Sequence, residues 1–220
     1  MIKFAPEGYP FIFGFLAATG VAYFIAPWAA AIPFALALFM AYFFRDPERE
    51  IPGGDDIFVS PADGKVILRE DLVEGSSRLF PALLEGSGQV VEVSIFMSPL
   101  DVHVNRAPCD GTVGSVIHTP GRFLSAFKHE ASAENENIAM VLDTKYGKVL
   151  VRQVAGFLAR RAVCRVNPGD RLDRGVRYGL IKFSSRVDIY LPKGTLLTVK
   201  PGDRVKAGES VLGRIKTSGG

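Results

Sequence analysis

The sequence predicts a mainly β fold: a sandwich or barrel-sandwich-like domain, preceded by an N-terminal hydrophobic helical hairpin. Three observations predict it. From Tyr9 to Phe44 the chain runs 36 residues without a charge. Beyond Pro52 the apolar residues regroup into short runs of period two, the spacing of strands with alternating faces. Between those runs stand Gly, Asp and Pro clusters that turn the chain at close intervals, as sandwiches and barrels require.

The helical hairpin comes first. Pro10–Ala26 and Trp28–Phe44 are apolar stretches of 17 residues each, divided by Pro27. That length is at the short end of what crosses a hydrocarbon core. Tyr9, Trp28 and Tyr42 stand near the edges, where amphipathic rings favour the membrane interface. Lys3 precedes the pair, and Arg45 and Arg49 follow it. Positive residues on both flanks predict two crossings with both ends, and the domain that follows, on the cytoplasmic side of the cell membrane. The expected organisation is an anchor over residues 1–50 and a β-rich domain over 51–220. A cleaved signal peptide fits less well, because the second apolar stretch would remain as surface. The formal net charge of +3 suits a protein resting on anionic lipid. It is too weak and too dispersed for nucleic-acid binding.

In the second domain, strands are predicted at Gly64–Leu68, Val90–Phe96, Gly111–Ile117, Ile138–Asp143, Val149–Val154, Val187–Leu191 and Leu196–Val199. Ala62-Asp63-Gly64, Cys109-Asp110-Gly111, Tyr146-Gly147-Lys148, Pro168-Gly169-Asp170 and Pro201-Gly202-Asp203 supply turns. A short helix is expected over Phe123–Ser132. The stretch from Val199 to Glu209 resembles the turn-rich hairpin of lipoyl- and biotinyl-type domains, and Ser60–Val66 resembles its counterpart near the front. That likeness implies that the two distant segments pair in a barrel-sandwich core. It speaks to fold and not to chemistry.

Several chemistries have no footing. His103, His118 and His129 share no ligand spacing, and no metal cluster, P-loop or dinucleotide fingerprint occurs. Cys109 and Cys164 form no CxxC pair and read as reduced thiols. Attention falls on the run from Tyr178 to Pro192, where Ser184 and Ser185 interrupt a strand-like pattern. A serine hydroxyl held against the preceding carbonyl can convert that amide to an ester. Loss of the Cα proton then expels the acyl group and leaves dehydroalanine. Hydrolysis of dehydroalanine gives a pyruvoyl group and ammonia.

The same run resembles the short, bacterial and archaeal form of phosphatidylserine decarboxylase. Further blocks carry the resemblance in the right order: Phe44–Arg49, Ser60–Val66, Met97–Pro108, Ala131–Glu136 and Gln153–Arg161. It implies self-cleavage of a proenzyme between residues 184 and 185, and a covalent pyruvoyl cofactor made from Ser185, with no metal. It implies phosphatidylserine as substrate, converted to phosphatidylethanolamine and CO2, with the bilayer and a second copy of the chain as partners. The pyruvoyl carbonyl would act as an electron sink, the task pyridoxal phosphate performs elsewhere. Asp63 and His103 match family positions with acid–base roles, although Ala-Asp-Gly is also ordinary turn sequence.

Two departures qualify the resemblance. The family has glycine where this chain has Ser184, and an added Cβ beside the scissile bond is expected to slow or prevent cleavage. Longer members carry a second histidine three residues beyond the first, where this chain has Arg106. The competing readings are a lipoyl-like membrane adaptor and a carrier module attached through Lys182. The strand-rich middle lacks the long heptads of an adaptor. The neighbours of Lys182 lack the usual tip of a carrier.

Overall fold

The computed structural model describes residues 3–74, 82–121, 135–156, 162–182 and 185–215. It divides into two compact units, residues 1–48 and 49–220. The helix expected over Phe123–Ser132 lies outside the described residues, as does Ser184.

The first unit is a pair of helices, α1 (Tyr9–Ile25) and α2 (Ala31–Phe43), joined by a 3-10 turn at Pro27–Ala30. The proline divides them as expected, since it offers no N–H to continue the first helix. The two halves are not equivalent. The helical stretch Pro6–Ile25 has 20 residues and is long and apolar enough to cross a membrane, whereas Pro27–Phe43 is shorter. One helix of the pair, with its preceding turn, therefore has the length of a full crossing. Backbone bonds from Ala5 N–H to the Phe44 carbonyl and from Asp46 N–H to the Lys3 carbonyl, both 2.8 Å, close the open end of the pair.

The second unit carries the strands, all paired antiparallel. They are β1 (Ile57–Val59), β2 (Gly64–Val73), β3 (Gln89–Met97), β4 (Val104–Arg106), β5 (Gly111–Thr119), β6 (Asn137–Thr144) and β7 (Gly147–Ala155). The series continues with β8 (Ala162–Cys164), β9 (Arg171–Leu172), β10 (Arg177–Ile181), β11 (Ser185–Pro192), β12 (Thr195–Leu197), β13 (Arg204–Val205) and β14 (Val211–Ile215). Eight of them form one curled sheet in the order β13-β2-β3-β11-β7-β6-β5-β9, and two three-stranded sheets, β1-β14-β12 and β4-β10-β8, complete the unit. All seven predicted strands are present, most of them longer than expected. β11 starts at Ser185 rather than Val187, so the second serine belongs to the strand.

The two lipoyl-like segments do meet. Arg204 and Val205 pair with Lys65 and Gly64, and the Gly208 N–H donates to the Ser60 carbonyl at 2.8 Å. Gly64 is required here, because a Cβ would collide with the Phe96 carbonyl of the neighbouring strand. The main core lies on the concave side of the sheet, where Val93, Ile95 and Met97 meet Val187, Ile189, Leu191, Val149, Val151 and Ala155. A smaller cluster of Leu72, Leu84, Val90, Ala139, Val141, Leu150 and Tyr190 covers part of the opposite face. The central strands are therefore buried on both sides. Every residue of β11 is buried.

Candidate functional site

Ser185 opens β11 between the last residues of two neighbours, Met97 of β3 and Ala155 of β7. It is wholly excluded from solvent, and its hydroxyl donates to the Met97 sulfur at 3.4 Å. A thioether is a weak acceptor, so the hydroxyl is held in place without being strongly engaged. The chain reaches this position from β10, which belongs to another sheet. β10 ends at Ile181, whose N–H donates to the His103 carbonyl at 3.3 Å. The chain thus leaves one sheet at Ile181, bonded to His103, and enters the next at Ser185, opposite Met97.

His103 is 2% exposed, and its Nδ1 lies 3.0 Å from the Asp101 carbonyl. A carbonyl can only accept, so Nδ1 carries the proton and Nε2 is the basic nitrogen of the neutral ring. Asp101 is fixed in turn: its carboxylate accepts from the Ser98 N–H at 2.8 Å and pairs with Arg204 at 3.2 Å.

Asp63 sits in the turn before β2. It takes Arg49 across both oxygens, at 3.0 and 2.7 Å, and accepts the Ala207 N–H at 2.7 Å. Burial pushes its carboxyl above the ordinary range, while the Ala207 N–H and the Arg49 guanidinium pull it back and Asp101 adds to the rise. Arg49 also reaches Glu209 at 3.5 Å. Asp63 is therefore tied to a C-terminal hairpin 144 residues away, well beyond a turn's local reach.

Two interior amides were not singled out in the sequence. Gln153 of β7 donates to Asn105 Oδ1 at 2.8 Å. The Asn105 amide nitrogen lies 3.4 Å from the Pro61 carbonyl and 3.9 Å from the Met97 sulfur. Both residues are essentially inaccessible to water. They connect the turn bearing Asp63, the strand following His103 and the sulfur beside Ser185. Gly179 is required beside the pair, because a Cβ there would collide with the Val163 carbonyl of β8 and also lie 3.1 Å from the Gln153 nitrogen. The signal was a glutamine on the face of β7 that otherwise carries Val149, Val151 and Ala155.

Among the described residues, no group of three or more His, Cys, Asp or Glu could hold a metal ion. Cys109 and Cys164 are free thiols, and burial pushes Cys109 up to about 12, too high for a nucleophile at neutral pH. Lys182 is half-buried.

Fold and site together define a β-sheet protein with an N-terminal apolar helix of membrane-crossing length and a buried serine at the mouth of a central strand. The sequence profile of the phosphatidylserine decarboxylase family matches residues 36–213. The chain is 45% identical over 217 residues to a phosphatidylserine decarboxylase proenzyme of Citrifermentans bemidjiense, covering 95% of each protein. It is 46% identical over 213 residues to that of Symbiobacterium thermophilum, covering 96% of this chain and 95% of the relative. Against the proenzyme of Desulfotalea psychrophila the identity is 43% over 228 residues, with 97% of each covered. The chain belongs to the phosphatidylserine decarboxylase family. The adaptor and carrier readings find no support in these matches.

Proposed function

We propose that this chain is a proenzyme that cuts itself between residues 184 and 185, and that its processed form removes CO2 from the serine headgroup of phosphatidylserine. Family membership over nearly the whole chain carries this reading. The position of Ser185, buried at the joint between two sheets with His103 and Asp63 on the adjoining elements, supports it.

Maturation proceeds in three balanced steps. The Ser185 hydroxyl attacks the carbonyl of residue 184, so an ester C–O bond forms as the amide C–N bond breaks and the nitrogen takes the proton. Loss of the Ser185 Cα proton then breaks the Cβ–O bond, releasing the carboxylate of residue 184 and leaving dehydroalanine. Water adds and ammonia departs. The resulting pyruvoyl group needs no more room than the serine it replaces, since the amino nitrogen is lost, and so it fits the enclosed site. When formed, it supplies a carbonyl that withdraws electrons from the substrate's α carbon.

Asp63 and His103 are the acid–base residues of this proposal. His103 presents Nε2, with the ring oriented by the Nδ1 contact to the Asp101 carbonyl. Asp63, raised by burial, is a stronger base than an exposed aspartate. Arg49 fixes its orientation. The N-terminal helices attach the enzyme to the bilayer that contains its substrate, with Lys3, Arg45 and Arg49 marking the cytoplasmic side. Family resemblance adds a homodimer.

Intact mass and decarboxylation of vesicles containing phosphatidylserine, measured on the chain as it stands and on Ser184→Gly, test the proposal. The glycine form should split into fragments 1–184 and 185–220 and release CO2. The parent should split at least ten-fold more slowly. A glycine form that stays whole and inactive would sink the reading.

A further inference from the structure

Directly after Ser185, on the opposite face of β11, lies a buried charge network that the chemistry above does not use. Arg186 is 1% exposed, Asp188 and Ser94 are fully enclosed, and Glu92 is 3% exposed. The Arg186 Nε donates to Asp188 through a short bond. Its terminal nitrogen donates to the Ser94 hydroxyl at 2.7 Å and lies 3.6 Å from Glu92. The Tyr190 hydroxyl donates to Glu92 at 3.2 Å. Arg186 and Asp188 belong to β11, and Glu92 and Ser94 to β3. The network stitches these two strands together.

Stability does not account for it. Replacing a buried ion network with apolar side chains of similar volume is commonly neutral or stabilising. What apolar residues cannot supply here is register. The concave face of β11 sets Val187, Ile189 and Leu191 against Ile95, Val93 and Val91, and a two-residue slide would exchange one such apolar contact for another at little cost. On the charged face a two-residue slide in one direction would carry Arg186 about 7 Å further from Ser94 and Glu92, and in the other direction it would set Asp188 directly opposite Glu92, carboxylate against buried carboxylate.

Register matters most once the chain is cut. Before cleavage, residue 185 is tethered through residues 182–184 to β10. Afterwards β11 begins at residue 185, and the ends of strands fray.

We propose that the Arg186–Asp188–Ser94–Glu92 network is a positioning device that keeps residue 185 opposite Met97 after the backbone is broken. This rests on the self-cleavage reading above. Arg186 acts through the strand and is a positioning residue, not a catalytic one.

The test uses the Ser184→Gly chain as parent and adds Arg186→Met, Asp188→Leu and Glu92→Leu together. The expected triple variant has an unchanged or raised thermal midpoint. In it, kcat falls at least ten-fold with KM within a factor of two, and amide exchange at residues 186 and 187 of the cut protein is faster. Parent-like kcat and exchange would overturn the proposal, and so would a loss of kcat that simply tracks a lowered midpoint. Should the triple variant fail to fold, Ser94→Ala removes one bond without touching a charge. It should lower kcat about three-fold and speed the same exchange, and no change in either also overturns the proposal. A parent that neither splits nor decarboxylates would instead refute the functional reading. The exchange comparison on uncut chains would then show no difference at residues 186 and 187.

Discussion

Ser185 and Arg186 are adjacent in the chain, yet their side chains enter opposite faces of one sheet, where polar groups are treated differently. On the concave face the polar contacts nearest Ser185 are loose, a hydroxyl on a thioether at 3.4 Å and an amide nitrogen 3.4 Å from a carbonyl, alongside one firmer bond from Gln153 to Asn105 at 2.8 Å. On the other face a guanidinium, two carboxylates and two hydroxyls are knitted together. Loosely held groups can move to new partners during a reaction. Tightly matched buried charges resist any displacement, because each would be left without compensation in a medium of low polarity. The strand can thus be rigid on one side and reactive on the other.

The largest effect should come from the reactive side. Asp63→Asn keeps the shape of the side chain and removes its basicity. In the Ser184→Gly background, self-cleavage should slow by about 10² to 10⁴, the usual worth of a positioned general base. The substitution also leaves Arg49 with Glu209, at 3.5 Å, as its remaining carboxylate. A thermal midpoint measured in parallel separates that loss of pairing from the loss of a base. Unchanged cleavage would remove Asp63 from the mechanism and return it to the role of a turn residue.

These two faces were not equally legible in the sequence. Alternation reveals β11 from Val187 to Leu191, because every second residue there is a core aliphatic. The same alternation makes Arg186 and Asp188 look like a solvent face. They are buried because the sheet is covered on both sides, and a period-two pattern records only which residues share a face. Ser185 was visible through its motif. The turn around Asp63 was visible too, but not the environment that distinguishes it from ordinary turn aspartates. Its partners Arg49 and Ala207 come from the far ends of the domain and have no spacing relation to it. β4 escaped notice, and β10 was visible only as the start of the strand-like run that Ser184 and Ser185 interrupt. Each is short and lies beside residues that break alternation, Asn105 in one and Gly179 in the other, and they form because they pair with each other. The N-terminal unit was legible as helical, and only the unequal lengths of its two helices differed from expectation.

On the charged face the expected effect is intermediate and depends on pH. Burial, and the neighbouring Asp188, push Glu92 up to about 7, against the pull of Arg186, Tyr190 and Arg152. Glu70 of β2 stands directly opposite Glu92 in the sheet. The folded protein therefore holds a proton on Glu92 that the unfolded chain releases near 4.5. Its contribution to stability is fully present below that value and is lost as pH rises through about 7. Glu92→Gln should abolish this dependence. Relative to the parent, the variant should gain on the order of 2–3 kcal/mol in unfolding free energy between pH 4.5 and pH 8. Denaturant titrations at the two pH values measure the gain, and a constant difference between the chains would mean that Glu92 titrates normally.

Met97→Leu should have the smallest effect, and it probes the seam between the two faces. Met97 is fully buried at the end of β3, and leucine has nearly the same volume, so the stability cost should stay below about 1.5 kcal/mol. What changes is chemical: the sulfur that receives the Ser185 hydroxyl disappears. A hydroxyl without that acceptor is freer to turn toward the carbonyl of residue 184, so self-cleavage in the Ser184→Gly background should speed up by about two- to five-fold, less than 1 kcal/mol in barrier. Slower cleavage would mean that the thioether holds the hydroxyl in its attacking position. Met97 would then belong with the rigid side of the strand.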